Sequence, residues 1–357
     1  MGKANRTVVP QDSTPGRQAI TKTLKWVGGV TAVLSLVFGL HQLTELVSGY
    51  RQRDREVKEL LSTSKMQQQA ADYSAAWNSL EQADRLSKGG REVRAAQESV
   101  AIAWLENAHV NPEQQKFGDI TGKVVPTLDR AVSTAEGARK ADLLAHLGWA
   151  EFLRSRDGVS GPQPDDFYHR ALKADAQNPY AHAMLGHWIL WNGGRIADAR
   201  EEFSQALAEG RAHDWARQLQ LAGIGNAHTD EAEAELIRVV NDMRKNNEQV
   251  DSRTRGAIWA IYYFRFRPNS GEDQRLLGAL PPADQLATFS WLFDRADFDQ
   301  SRIWSREFYR ATLQEAAGQR AEALKTLLPV RANLPRGFDP SIRKEIERRI
   351  RRLSKSA

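Results

Sequence analysis

The stretch from Tyr168 to Gly210, YHRALKADAQNPYAHAMLGHWILWNGGRIADAREEFSQALAEG, constrains the fold more than any other part of the chain. Two helix-forming runs are separated by Asn192-Gly193-Gly194, and the unit opens on Asn178-Pro179, a helix-start pair. Small residues at Gly186, Ala199 and Ala206 alternate with bulky ones at Leu185, Ile189 and Phe203. That spacing lets two helix backbones approach closely while large side chains fill the grooves between them. A helix pair of this kind leaves one face apolar and has to stack on neighbours of its own type.

The pattern resembles the tetratricopeptide repeat, a helix–turn–helix unit of about 34 residues. Leu185-Gly186 and Ile189 fill its first-helix slots, and Ala199, Phe203 and Ala206 those of the second helix. Tyr168 and Ala171 close a preceding unit, whose first helix carries Leu147-Gly148 and whose loop is expanded to RSRDGVSGPQPDD. Weaker copies sit at 72–83 (Ala76, Leu80, Ala83) and 311–327 (Ala311, Gly318, Ala323, Leu327), while the signature fades between 212 and 297. Alternating β-branched runs are missing, and breaks such as Gly89-Gly90, Asn111-Pro112, Asp157-Gly158, Pro268-Asn269 and Pro335-Arg336-Gly337 punctuate helix-forming segments. The expected fold is all-α: a right-handed α-solenoid of TPR-like helix pairs, preceded by one transmembrane helix.

That helix is expected from the run Leu24–Leu40, LKWVGGVTAVLSLVFGL, with Lys25 as its one charge. Extended through 47 it reaches the roughly 20 residues that cross a bilayer core. No small-x-small cleavage site follows, so a retained anchor is favoured over a signal peptide. Basic residues flank the run on both sides, which leaves its orientation open. The organisation read from the sequence is a disordered basic tail over 1–22, the transmembrane helix over 23–48, a helical stem over 49–69, a repeat domain over 70–335 and a basic capping helix over 336–357. The protein is expected in a membrane as a single-pass protein, of the bacterial inner-membrane kind.

Composition excludes some chemistry. The chain has no cysteine, so disulfides, thiolate metal sites and thiol nucleophiles are ruled out. No G-x-S-x-G, HExxH, GxGxxG or Walker loop occurs. His182 and His187 are five apart and do not share a helix face, and Asp165, Asp166 and His169 sit at a helix start, where acidic residues complement the dipole. No enzyme activity, cofactor or metal is therefore expected. Tryptophans 77, 104, 149, 188, 191, 215, 259, 291 and 304 read mainly as core, as does the cluster WAIYYFRFR over 259–267.

The resemblance implies a scaffold that holds a protein segment in a groove. Groove-facing positions of such repeats lie most often on first helices, which nominates Asn178, Tyr180, His182, Met184 and His187 as partner contacts. Two other readings stand beside it. One is a sensor that takes a small ligand in an aromatic-lined pocket inside the superhelix. The other is an adaptor that meets an anionic surface (lipid, acidic protein or nucleic acid) through the last helix, SIRKEIERRIRRLSKSA. Nucleic acid is the less favoured partner.

Overall fold

A computed structural model describes residues 48–108, 116–208, 210–227, 229–265, 278–295, 303–334 and 339–355. The basic tail and nearly all of the apolar run fall outside these residues, as do Asn111-Pro112, Pro268-Asn269 and Pro335-Arg336-Gly337. Among the described residues there is no strand, and no helix is long and apolar enough to cross a membrane. The chain divides into two compact units, Met1–Ala103 and Trp104–Ala357.

In the first unit, helix α1 spans 48–69, α2 Tyr73–Ser87, and α3 begins the run Arg91–Ala108. Asp72 caps α2 by accepting from the Ala75 amide at 3.0 Å. Ala76, Leu80 and Ala83, the small and bulky residues of the repeat pattern, are fully buried. Ser79 Oγ donates to Gln67 Oε1 at 2.9 Å and ties α2 to α1.

The second unit is a succession of packed helices. Its elements are α4 (Phe117–Val132), α5 (Gly137–Arg156), α6 (Pro164–Ala174), α7 (Pro179–Trp191), α8 (Ile196–Ala208), α9 (His213–Ala227) and α10 (Asp230–Lys245). They continue through α11 (Ser252–Arg265), α12 (Pro282–Phe293), α13 (Ile303–Ala316), α14 (Arg320–Ala332) and α15 (Pro340–Ser354). Helices α5 and α6, α7 and α8, and α9 and α10 form hairpins; α5 then packs on α7, and α7 on α9. This stacking of first helix on first helix makes an array of hairpins, and the small residues at their crossings state its cause.

Both Leu-Gly glycines of the signature sit where helices touch, whereas Gly318 of the weaker copy is a turn residue at φ +77° with open space around it. A Cβ on Gly186 would lie 3.0 Å from Phe203 Cε2 and 3.2 Å from the Ala199 carbonyl oxygen. One on Gly148 would lie 2.6 Å from the Tyr168 ring and 2.9 Å from the Pro164 carbonyl. Between α7 and α9 the same role falls to Gly223, whose Cβ would meet Leu190 Cδ1 at 2.9 Å. The array therefore continues past 212, where the sequence pattern had faded, because a small residue is kept at the crossing while its flanking positions change.

The large aromatics divide as their surroundings dictate. Trp77, Trp104, Trp149 and Trp259 are buried, whereas Trp191 is 43% exposed. Trp149 Nε1 donates to the Leu105 carbonyl at 3.1 Å, so the indole is buried with its one donor satisfied. A side chain of that size removes about 150–250 Å2 from water, which at about 25 cal/mol per Å2 contributes on the order of 4–6 kcal/mol. In the 259–267 cluster Ile261 and Tyr262 are buried and Phe264 is 62% exposed, and Phe266 and Arg267 lie outside the described residues.

Candidate functional site

The five first-helix candidates separate into two groups once α7 is folded. Asn178, Met184 and His187 are buried. They hold the array together and present no surface to a partner. Met184 fills the helix interface, and His187 packs edge-on against Trp149 and Phe152 at 5.4 and 5.0 Å between centroids. Asn178 is the N-cap of α7: its Oδ1 accepts from the Ala181 amide at 2.9 Å, and its Nδ2 donates to Asp142 Oδ1 at 2.6 Å. Residue spacing alone could not make this division, because α7 is flanked by α5 on one side and α9 on the other, and only a narrow strip of it reaches solvent.

Tyr180 and His182 are only partly buried. The Tyr180 ring lies 4.8 Å from the His146 ring and 6.2 Å from Trp215. The Arg211 guanidinium stacks over it at 5.4 Å. Arg211 in turn makes a two-point contact to Asp142, with Nη1 donating to Oδ2 at 2.6 Å and Nη2 to Oδ1 at 2.9 Å. Burial, together with the nearby Glu106 and Asp142 carboxylates, pushes the Tyr180 phenol up to about 12, against the opposing pull of Arg211. It stays a neutral hydroxyl at any physiological pH. The result is a strip across α5, α7 and the start of α9 that carries a phenol, an indole, a guanidinium and a carboxylate, all held in place by one another.

His182 is engaged within its own hairpin. Nδ1 lies 2.7 Å from Glu202 Oε2 on α8, and Nε2 lies 3.0 Å from the Ala176 carbonyl. Burial opposes the charged ring, but the Glu202 and Ala176 hydrogen bonds and the charges of Glu202 and Asp175 outweigh it and raise its pKa. This histidine fastens α7 to α8.

A second surface was not signalled by the repeat pattern. An open cleft of about 510 Å3 lies among α8, α9 and α10, within the range of ligand-sized pockets. Arg200, Ser204 and Leu207 line it from α8; His213, Arg217 and Gln220 from α9; Glu235, Arg238, Val239, Asp242 and Lys245 from α10, with Asn246 at the end. Glu235 is the buried centre: Arg200 donates to its two oxygens at 2.7 and 2.6 Å, and Arg238 adds a third bond at 3.1 Å. Arg217 makes a matching two-point contact to Glu248, both bonds 2.9 Å. The cleft is charged, in contrast to the aromatic-lined pocket that a small-ligand sensor would call for. A sequence signal did exist, in the arginines at 200 and 217 and the acids at 235 and 248, but their pairing spans more than 30 residues and depends on the stacking of hairpins.

Among the described residues no group of three or more histidine and acidic side chains is arranged to hold a metal ion. Asp165 and Asp166 occupy the first turn of α6, where they complement its dipole.

No protein-family model and no curated protein matches the chain. Among solved structures, a tetratricopeptide repeat protein from Parabacteroides merdae is similar at 13% identity and a TM-score of 0.39, over 83% of this chain and 99% of that one.

Proposed function

We propose that this protein is a membrane-tethered protein-interaction scaffold, a right-handed TPR-like solenoid that holds a segment of a partner protein and has no turnover of its own. The observation that carries this reading is the strip formed by Tyr180, Trp215, Arg211 and Asp142. An aromatic face beside a fixed charged pair offers apolar contact and oriented hydrogen bonding together, and its side chains are already ordered, so little entropy is lost on binding. Residues 26–47 serve as a single-pass anchor, which raises the effective concentration of the scaffold at the membrane.

The test is partner capture by full-length protein in detergent, compared with the double variant Tyr180→Ala, Arg211→Ala. Capture should fall at least tenfold while the helical circular-dichroism signal is kept. Undiminished capture by the folded variant would move the binding surface to the cleft among α8, α9 and α10. That cleft supports a second reading, a small charged ligand bound between Arg200, Arg238 and Lys245.

A further inference from the structure

The charge of this chain is concentrated at one end. Residues 340–357 carry seven basic and two acidic residues, a net charge of +5, which equals the net charge of the whole protein. The remaining residues balance. Folding then sorts these charges by side of α15. Ile346, Arg349, Ile350 and Leu353 face inward and are buried. Arg349 belongs to this buried side: it stacks over Phe308 at 5.2 Å, donates to Thr312 Oγ1 at 2.6 Å and to Glu345 at 2.8 Å. It is a docking residue, in contrast to the surface position its place in an arginine run implies.

The opposite side is cationic. Lys344, Arg348, Arg351 and Lys355 are exposed and follow one another at intervals of four, three and four. At about 100° per residue they fall within an arc of roughly 60° and extend over about 16 Å of the helix. Glu345, 12% exposed, receives two bonds of 2.7 Å from Arg348 and one of 2.8 Å from Arg349, and Glu347 is half-buried one turn from Lys344 and Arg351, which leaves Lys344, Arg351 and Lys355 as the outermost charges. A capping helix needs a polar outer face, yet a mixture of both signs would serve solubility equally. On this face exposed basic residues outnumber the acids beside them, Glu347 and the Glu345 that holds Arg348.

We infer that the outer face of α15 is a docking surface for anionic phospholipid headgroups, resting on the reading of residues 26–47 as an anchor in the same bilayer. Lipid is preferred over other polyanions because a chain that carries its own apolar run is held where such headgroups are concentrated. Polybasic stripes next to a membrane act within a Debye length of the surface.

The absence of cysteine from the chain makes the test direct. An Ala357→Cys variant of the full chain, labelled with a fluorescent donor, is reconstituted into vesicles of neutral phosphatidylcholine or of phosphatidylcholine with 30% phosphatidylglycerol carrying a headgroup acceptor. Energy transfer should be high on the anionic vesicles, low on the neutral ones, and lost in about 0.5 M salt. The triple variant Lys344→Gln, Arg351→Gln, Lys355→Gln should weaken the association by about two orders of magnitude. Equal transfer on both vesicle types, or a triple variant that behaves as the parent, overturns the proposal. If the full chain does not reconstitute, the anchor reading has failed by itself. Co-sedimentation of the same protein with the same vesicles then decides the helix independently, and sedimentation with neither vesicle overturns it.

Discussion

Asn178 Nδ2 donates to Asp142 Oδ1 at 2.6 Å, and through this bond the cap of one helix pair is fastened to the first helix of the pair before it. The same carboxylate receives Arg211 from the segment leading into the next pair. One acid on α5 thus connects the starts of three consecutive hairpins. Asn178→Ala is expected to cost about 2–3 kcal/mol, since it removes a helix cap and a buried hydrogen bond to a charged acceptor. Urea denaturation should show a lower midpoint, and Asn178→Asp, which keeps the cap but places a second acid beside Asp142, should be no better.

Gly148→Ala should be more damaging than Gly186→Ala. The new methyl at 148 meets the Pro164 carbonyl at 2.9 Å, backbone that cannot turn aside, and the Tyr168 ring at 2.6 Å. At 186 it meets the Phe203 ring and the Ala199 carbonyl at 3.0–3.2 Å, which a shift of a few tenths of an ångström relieves. Losses of roughly 1–3 kcal/mol at 148 and under about 1 kcal/mol at 186 are expected. Gly186→Leu, whose side chain cannot be absorbed, should approach the larger figure. Paired thermal melts check the order.

Tyr168→Phe should leave stability unchanged or raise it. The ring is fully buried beneath Gly148, and its hydroxyl has no hydrogen-bond partner among the described residues. Burial, reinforced by Asp165, holds the phenol well above its usual pKa. Removing a buried hydroxyl that lacks a partner removes a desolvation cost and no bond. A fall in melting temperature of several degrees would show that the hydroxyl is satisfied in solution.

Stability should decline in acid through Glu345. Hydrogen bonds from Arg348, with support from Arg349, hold its carboxyl down to about 2 against a usual value of 4.5. A depressed carboxylate contributes fully above pH 4.5 and loses that contribution as pH falls toward 2. The docking of α15 should therefore weaken across that window, and Glu345→Gln should be less stable at neutral pH and flatter below pH 4.5. A stability curve of unchanged slope in the variant would assign the acid loss to other carboxylates.

Over 140–210 the sequence by itself determined the helices, their pairing and the points at which they touch. Those features are local: a capping asparagine before proline, a turn built on Asn192-Gly193-Gly194, and small residues at a spacing that one helix turn imposes. Gly148, Gly186 and Phe203 could be placed at contacts because close approach forbids anything larger at the two glycines. Tertiary structure decided which side of each helix meets water. Asn178, Met184 and His187 share α7 with Tyr180, yet packing of α5 and α9 on either side buries the first three and leaves the tyrosine half open. It also decided the charge pairs. Asp142 meets Arg211 across 69 residues and Arg200 meets Glu235 across 35, separations that only the register of stacked hairpins brings within bonding distance. A repeat pattern specifies how each hairpin closes, but ion pairs between hairpins depend on rotations summed over several interfaces, and no single segment of the chain encodes that sum.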